Sequence, residues 1–167
     1  HRSFELPVIT LRPFNTYGPR QSERAVLSTI IRQILDDRCE SVQLGDLSTR
    51  RDFNFVTDTV EAFLGLAEAD DQYLGQTFNS GNSKTIEIGE VLKIVFELTK
   101  NEKPVVQDEN RIRPKDSEVM VLMADYLALN QATGWRPETD LRSGLDRTIE
   151  WWSDRMNWVR SDTAFIY

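Results

Sequence analysis

The sequence predicts an α+β unit in which short strands carry longer amphipathic helices. Three observations point there. The apolar, β-branched runs are brief, as at Pro7-Val8-Ile9-Thr10-Leu11. Helical periodicity fills several longer stretches. Strand and helix do not alternate regularly for long enough to build a complete doubly wound sheet. The 167 residues, 40% of them hydrophobic, suffice for one core.

In order, residues 1–6 read as the last turn of a helix, and a strand at 8–12 follows. Residues 23–37 carry apolar side chains at 26, 27, 30, 31, 34 and 35. That spacing predicts a helix with one buried face, capped by Ser22. Ser41–Leu44 reads as a strand and Gly45–Thr49 as a turn. Asp52–Val56 alternates Phe53 and Phe55 with polar neighbours, so a returning strand is expected. Thr57 or Asp58 then caps a helix that runs to Ala67. Thr77–Asn79 and Thr85–Ile86 are short strands. Residues 87–99 form an amphipathic helix on Ile88, Val91, Leu92, Val95, Phe96 and Leu98. Pro104–Val106 is a strand and 108–115 a charged loop. Asp125 caps a short helix that stops at Gly134, and Asp140 caps another over 141–153. The tail from Met156 to Tyr167 is expected to pack through Trp158, Phe165 and Ile166.

Bulk properties exclude several classes. Twenty Lys and Arg against 27 Asp and Glu give a net charge of -7. That balance argues against a nucleic-acid partner, which requires a basic face. Cys39 is the only cysteine, so no internal disulfide is possible, and the chain fits a reducing cytoplasm. With one Cys and one His, His1, a closed zinc site lacks ligands, and no metal is expected. No apolar run approaches the roughly 18 residues of a membrane span. Residues 1–6 do not resemble a signal peptide.

The most informative stretch is Arg12-Pro13-Phe14-Asn15-Thr16-Tyr17-Gly18-Pro19-Arg20-Gln21. It ends the first strand, and functional groups of α/β enzymes collect where strands give way to loops. The loop offers an amide in Asn15, a phenol in Tyr17 and a guanidinium in Arg20. The alternative reading is an ordinary strand-ending turn. Two absences matter as much. No two glycines form a Gly-x-Gly pair, so the dinucleotide fingerprint is missing. None of the four tyrosines has a lysine four residues on.

Four segments together resemble the extended short-chain dehydrogenase/reductases, the NAD-dependent sugar-nucleotide epimerases and dehydratases. They are the 12–21 stretch, Gly45 through Arg51-Asp52-Phe53 with Val56 and Asp58, Arg111 through Val119, and Thr133-Gly134-Trp135-Arg136-Pro137 leading to Gly144–Trp152. The likeness is nearest to the NAD-dependent 4,6-dehydratases of the UDP-N-acetylglucosamine or legionaminic-acid type. It covers only the second half of a typical member. It implies a Rossmann-like α/β parent, of which residues 1–167 supply the substrate-binding half and the last strands of the sheet. The dinucleotide loop and the catalytic Tyr-x-x-x-Lys pair would then precede His1. No catalytic residue is assigned here, and the isolated chain is expected to be inactive.

The resemblance also implies roles. Pro13 and Phe14 border the nicotinamide of NAD. Asn15 binds the sugar or diphosphate, with Arg20 nearby. Val42-Gln43-Leu44 lines the nucleobase. Arg51 and Arg113 bind the diphosphate of a nucleotide sugar. Asn79 and Asn82 are candidates for the base or ribose, with a turn role as the alternative. A guanidinium grips phosphate oxygens bidentately, whereas an ammonium acts as a point charge. The bland alternatives are a surface ion pair of Arg51 with Asp46 or Asp52, and a solvated loop charge at Arg113. A 4,6-dehydratase, a UDP-glucose 4-epimerase and a non-catalytic nucleotide-sugar-binding module stay open. The parent is expected to be a cytoplasmic homodimer.

Overall fold

The computed structural model describes residues 1–111 and 119–156. Arg113 and the tail expected to pack through Trp158, Phe165 and Ile166 lie outside the described residues. In chain order the elements are β1 (Thr10–Pro13), β2 (Thr16–Tyr17), α1 (Val26–Leu35), β3 (Val42–Leu44), β4 (Arg50–Arg51), β5 (Asn54–Phe55), α2 (Val56–Ala67), β6 (Thr77–Ser80), β7 (Ile86–Glu87), α3 (Ile88–Thr99), β8 (Val105–Gln107), β9 (Val121–Leu122), α4 (Leu127–Thr133) and α5 (Leu141–Ser153). Among the described residues no helix is long and apolar enough to cross a membrane.

By their contacts the described residues divide into two compact units. The first holds His1–Tyr17, Arg50–Ile86 and Val121–Leu141. The second holds the described residues of Gly18–Thr49, Glu87–Met120 and Arg142–Tyr167. The chain passes back and forth between them, so no single stretch of sequence marks either one.

In the first unit β1 and β6 pair in parallel, Thr10 opposite Thr77 through Pro13 opposite Ser80. β2 and β5 pair in parallel, Thr16 opposite Asn54, and β4 pairs with β9. Of the predicted strand 52–56 only Asn54–Phe55 is strand, as β5, and Asp52 and Phe53 separate it from β4, which takes a different partner. Helices α2 and α4 pack against each other, α2 on β1 and α4 on β6. Their shared core is Ala62, Leu66, Phe78, Leu129 and Trp135. Gly65 lets α2 approach Thr133, whose Cβ would lie 3.3 Å from an added methyl. A second apolar stripe on α2, Val60, Phe63 and Leu64, is exposed.

The N-terminal caps depart from expectation. α2 begins at Val56 with Phe55 at the N-cap and no side-chain cap bond. Asp58 sits in its first turn, but its carboxylate accepts the N–H and hydroxyl of Thr139, each at 3.0 Å. Asp58 thus ties the segment before α5 to α2 rather than capping the helix. α1 starts at Val26, not at 23, with Ala25 at its N-cap. Ser22 and Glu23 belong to the turn before it. Gly134 does end α4 in the left-handed region, at φ 73°.

In the second unit α1 packs on β3 and α3, and β3 pairs in parallel with β8. Ile30, Ile31 and Ile34 of α1 and Val91 and Val95 of α3 are fully buried. α3 opens with a capping box in which Glu87 and Glu90 satisfy each other's backbone N–H groups. The far end of α1 has a different solution. A helix leaves its last carbonyls without intrahelical partners. Here Lys103 Nζ donates to the carbonyls of Gln33, Asp36 and Cys39, at 2.9, 2.8 and 2.9 Å. Asn101 Nδ2 donates to Ile34 O at 2.8 Å.

Replacing Lys103 by Met keeps the aliphatic stem but removes its hydrogen bonds to three carbonyls, of which Asp36 O keeps the Cys39 N–H at 2.9 Å. We expect Lys103→Met to lower unfolding free energy by about 1.5–3 kcal/mol in urea titrations. An unchanged urea midpoint would contradict this account of the α1 terminus.

Candidate functional site

The candidate site of the first unit begins where β1 ends. Pro13 closes the strand because it cannot donate to a ladder. The next residues leave the sheet yet stay anchored. Phe14 N–H donates to Ser80 O at 2.9 Å, at the carboxyl end of β6. Asn15 O accepts from Asn54 N at 3.2 Å, and Asn15 Nδ2 donates to Asp52 O at 2.9 Å. Thr16 Oγ1 lies 3.0 Å from Thr59 Oγ1, which in turn accepts from Asn54 Nδ2 at 2.9 Å. Tyr17 is buried edge-on against Phe53 and Phe55, its hydroxyl donating to Leu141 O at 3.3 Å. The phenol that the sequence offers to a ligand is thus a core group.

Asp52 organises the other side. It is fully buried between Arg51 and Phe53. Its Oδ1 accepts Asn82 N–H at 2.7 Å and its Oδ2 accepts Ala124 N–H at 3.0 Å. The amides of Ser83 and Lys84 also stabilise the charge. Ser83 takes φ 52°, a left-handed residue that curls successive N–H groups around one anion. Ser83 Oγ donates to Ala124 O at 3.0 Å, and Asn82 Nδ2 donates to Phe53 O. A methyl at Gly81 would lie 2.5 Å from Ala124 Cβ and 3.0 Å from Asp52 Oδ2, so only glycine fits. Burial pushes the Asp52 carboxyl up, and the backbone N–H groups of Asn82 and Ala124 pull it back only in part.

Arg51 is half-buried, and its Nη1 donates to Arg50 O at 3.0 Å. Asp52 commits its carboxylate to backbone amides, so the bland reading of an Arg51–Asp52 surface pair does not describe this carboxylate. Arg50 reaches Thr85, Nε to Oγ1 at 3.3 Å and Nη2 to the carbonyl at 3.1 Å. Asn79 is half-buried on β6, opposite Arg12 and one residue before Ser80. Pro13, Phe14, Asn15, Arg51 and Asn79 thus all belong to one unit.

The second unit holds Arg20, Val42, Gln43 and Leu44. Arg20 is exposed at φ 68°, after a Gly18-Pro19 turn closed by Gln21 N–H to Gly18 O at 3.2 Å. Successive strand residues face opposite sides. Val42 and Leu44 face the core, at 0% and 4% exposure. Their side chains are therefore not available to line a nucleobase, and only Gln43 presents its side chain outward. The backbone of Gln43 is also engaged. Its N–H donates to Gln33 Oε1 at 2.9 Å, and its carbonyl accepts Gln33 Nε2 at 3.2 Å and Arg111 Nη1 at 3.1 Å.

Sequence reasoning missed Asp52, Arg50 and Ser83. One signal was available for Asp52. An acidic residue beside Phe53 in a strand-like run must find partners once buried. Backbone amides are the partners that a sequence does not advertise.

A family model described as GDP-mannose 4,6 dehydratase matches residues 1–148. The GDP-6-deoxy-D-mannose reductase of Pseudomonas aeruginosa is 28% identical over 153 residues, 89% of this chain and 49% of its own. RMD from Pseudomonas aeruginosa, solved in complex with NADPH, superposes with a TM-score of 0.83 at 26% identity, over 92% of this chain and 51% of that one. UDP-glucose 4-epimerase from Thermotoga maritima, solved with UDP-glucose, gives a TM-score of 0.81 at 28% identity, over 93% and 48%. The chain spans about half the length of the curated relatives it matches.

The Asp52 environment makes a pH prediction. A carboxyl raised in the native state binds its proton more tightly there than in the unfolded chain. Stability therefore falls as pH rises from the ordinary carboxylate range through the raised native value. Urea titrations from pH 4 to pH 7 should show the native protein losing ground to Asp52→Asn as pH rises. A gain over that variant with rising pH would mean that the native carboxyl is lowered instead.

Proposed function

The chain belongs to the GDP-mannose 4,6 dehydratase family of sugar-nucleotide dehydratases and epimerases, and from that premise we propose that it is the nucleotide-sugar-binding portion of an NAD-dependent 4,6-dehydratase. The observation that carries the reading is the link between Asn15 and the Arg51-Asp52 corner. The two segments of the first unit to which the resemblance gives substrate binding are joined by the Asn15 Nδ2–Asp52 O hydrogen bond of 2.9 Å. Arg51 binds the diphosphate oxygens as a fork, and Asn15 holds the sugar or the diphosphate beside it. Arg113 supplies a second guanidinium to the same diphosphate. Arg20, Gln43 and Asn79 take the remaining polar contacts to sugar, base and ribose.

Pro13 and Phe14 border the nicotinamide. In support, they end a parallel strand, and dinucleotides bind outside the carboxyl ends of such strands. Ser80 Oγ, buried beside Phe14 without a partner among the described residues, fits a polar group there. A bound NAD supplies the acceptor and donor of a hydride at C4 of the sugar. The chain has neither a Tyr-x-x-x-Lys pair nor a Gly-x-Gly loop, so by itself it binds and orients but does not turn over. A UDP-glucose 4-epimerase is the second reading, favoured by the likeness to the Thermotoga maritima enzyme. The binding arginines serve both chemistries.

In the full-length protein, Arg51→Ala and Arg113→Ala should each weaken nucleotide-sugar binding by about ten- to a hundredfold in calorimetry. NAD affinity should hold, and the 167-residue chain alone should show no turnover with added NAD. Equal losses for NAD and nucleotide sugar, or turnover by the isolated chain, would refute the assignment.

A further inference from the structure

We propose that Asp52 is the positioning residue for the diphosphate contacts, setting the directions of both Arg51 and Asn15 through the backbone it anchors. The inference rests on the nucleotide-sugar reading above and names how that site is held in shape.

Three sets of contacts carry it. The first is strand alternation. Asp52 N–H donates to Leu122 O at 3.0 Å, continuing the β4–β9 ladder one residue past Arg51. Residues two apart on a strand share a face and the one between them points away. Arg50 and Asp52 are such a pair, and both grip the same segment. Arg50 holds Thr85, and Asp52 holds the amide of Asn82 at 2.7 Å. The segment 82–85 therefore occupies one side of the strand, and Arg51 projects from the other.

The second is the Asn15 amide. Asp52 O accepts one Nδ2 hydrogen of Asn15 at 2.9 Å. That bond identifies the nitrogen end of the side chain as the inward end and turns Oδ1 outward. The second Nδ2 hydrogen and Oδ1 remain as the groups able to meet a ligand. A shift of the Asp52 backbone moves Asn15 and Arg51 together.

The third is the absence of slack. Ser83 adopts φ 52° and its hydroxyl ties the loop to Ala124 O at 3.0 Å. Gly81 leaves no room for a methyl against Ala124 and Asp52. A carboxylate so enclosed holds its neighbours to one geometry, because any rotation strands buried N–H groups without acceptors. An asparagine at 52 has the same shape but turns an N–H₂ toward one of those amides.

The test is a double-mutant cycle in the full-length protein, read by calorimetry with UDP, GDP and dTDP as probes. Arg51→Lys serves as the second mutation because it keeps a charge and thus a measurable affinity. For the nucleoside diphosphate that binds, Asp52→Asn should weaken affinity about tenfold with Arg51 present and less than about twofold in the Arg51→Lys background, the non-additivity expected of residues acting through one another. If Asp52→Asn does not fold, Ser83→Ala removes only the hydroxyl tie to Ala124 and should give a smaller loss with the same dependence on Arg51. Equal losses in both backgrounds would show a merely structural role and overturn the proposal. So would a folded Asp52→Asn protein with native affinity. Failure of the unmutated protein to bind any of the three probes would instead strike the nucleotide-sugar reading itself.

Discussion

A carboxylate taken out of water costs several kcal/mol unless hydrogen bonds replace its hydration. Asp52 meets that constraint with the backbone N–H groups of Asn82 and Ala124, from two distant segments. The rest of the first unit follows from this choice. The segment 82–84 must curl, which puts Ser83 in the left-handed region and requires glycine at 81. The chain at 122–124 must run beside Arg50–Asp52. The carbonyl of Asp52 is then fixed where Asn15 can donate to it.

The second unit solves a related problem with neutral and cationic side chains. The unpaired carbonyls at the end of α1 are met by Lys103 and Asn101 from the segment after α3. Gln33 from within α1 closes a reciprocal pair with the backbone of Gln43 on β3. Gly45 allows the close approach of Arg111, whose carbonyl oxygen would lie 2.5 Å from any Cβ placed there. The same Arg111 pairs with Asp108 at 3.1 Å and reaches Gln43 O. The chain is thereby fixed at 108–111, immediately before the segment that carries Arg113. In both units the segments assigned to ligand binding are held by polar contacts to backbone as well as by apolar packing, of Tyr17 in one and of Val42 and Leu44 in the other.

The parts of this fold that were legible are those with a period or a punctuation mark. The helix at 141–153 and the stop at Gly134 stand as the sequence reads them. The helix at 87–99 differs by one residue, and its capping box is written in Glu87 and Glu90. β2 and β9 were illegible because two residues cannot show alternation. The single strand expected over 52–56 failed for a physical reason. Asp52 and Phe53 form a corner between β4 and β5, and the alternation of Phe53 and Phe55 reflects packing around Tyr17, not a continuous ladder. For the candidate site, the loop 12–21 could be found from its position after a strand, and Arg51 from the family motif. The roles of Asp52 and Ser83 could not, because their partners are main-chain groups common to every residue. Val42 and Leu44 show another limit of a sequence motif. A motif position names a strand, and only its alternation says which side chains face outward.

The central claim is that the Asn15–Arg51 corner, with Arg113, exists to hold a nucleotide diphosphate. Its most direct test is a crystal structure of the full-length protein with NAD and the nucleotide sugar it binds. The account predicts the guanidinium groups of Arg51 and Arg113 within hydrogen-bonding distance of one diphosphate, with the Asn15 side chain on the same ligand and its Nδ2 still donating to Asp52 O. Two ordered guanidinium groups pointing to separate places, with the diphosphate held by other residues, would contradict it.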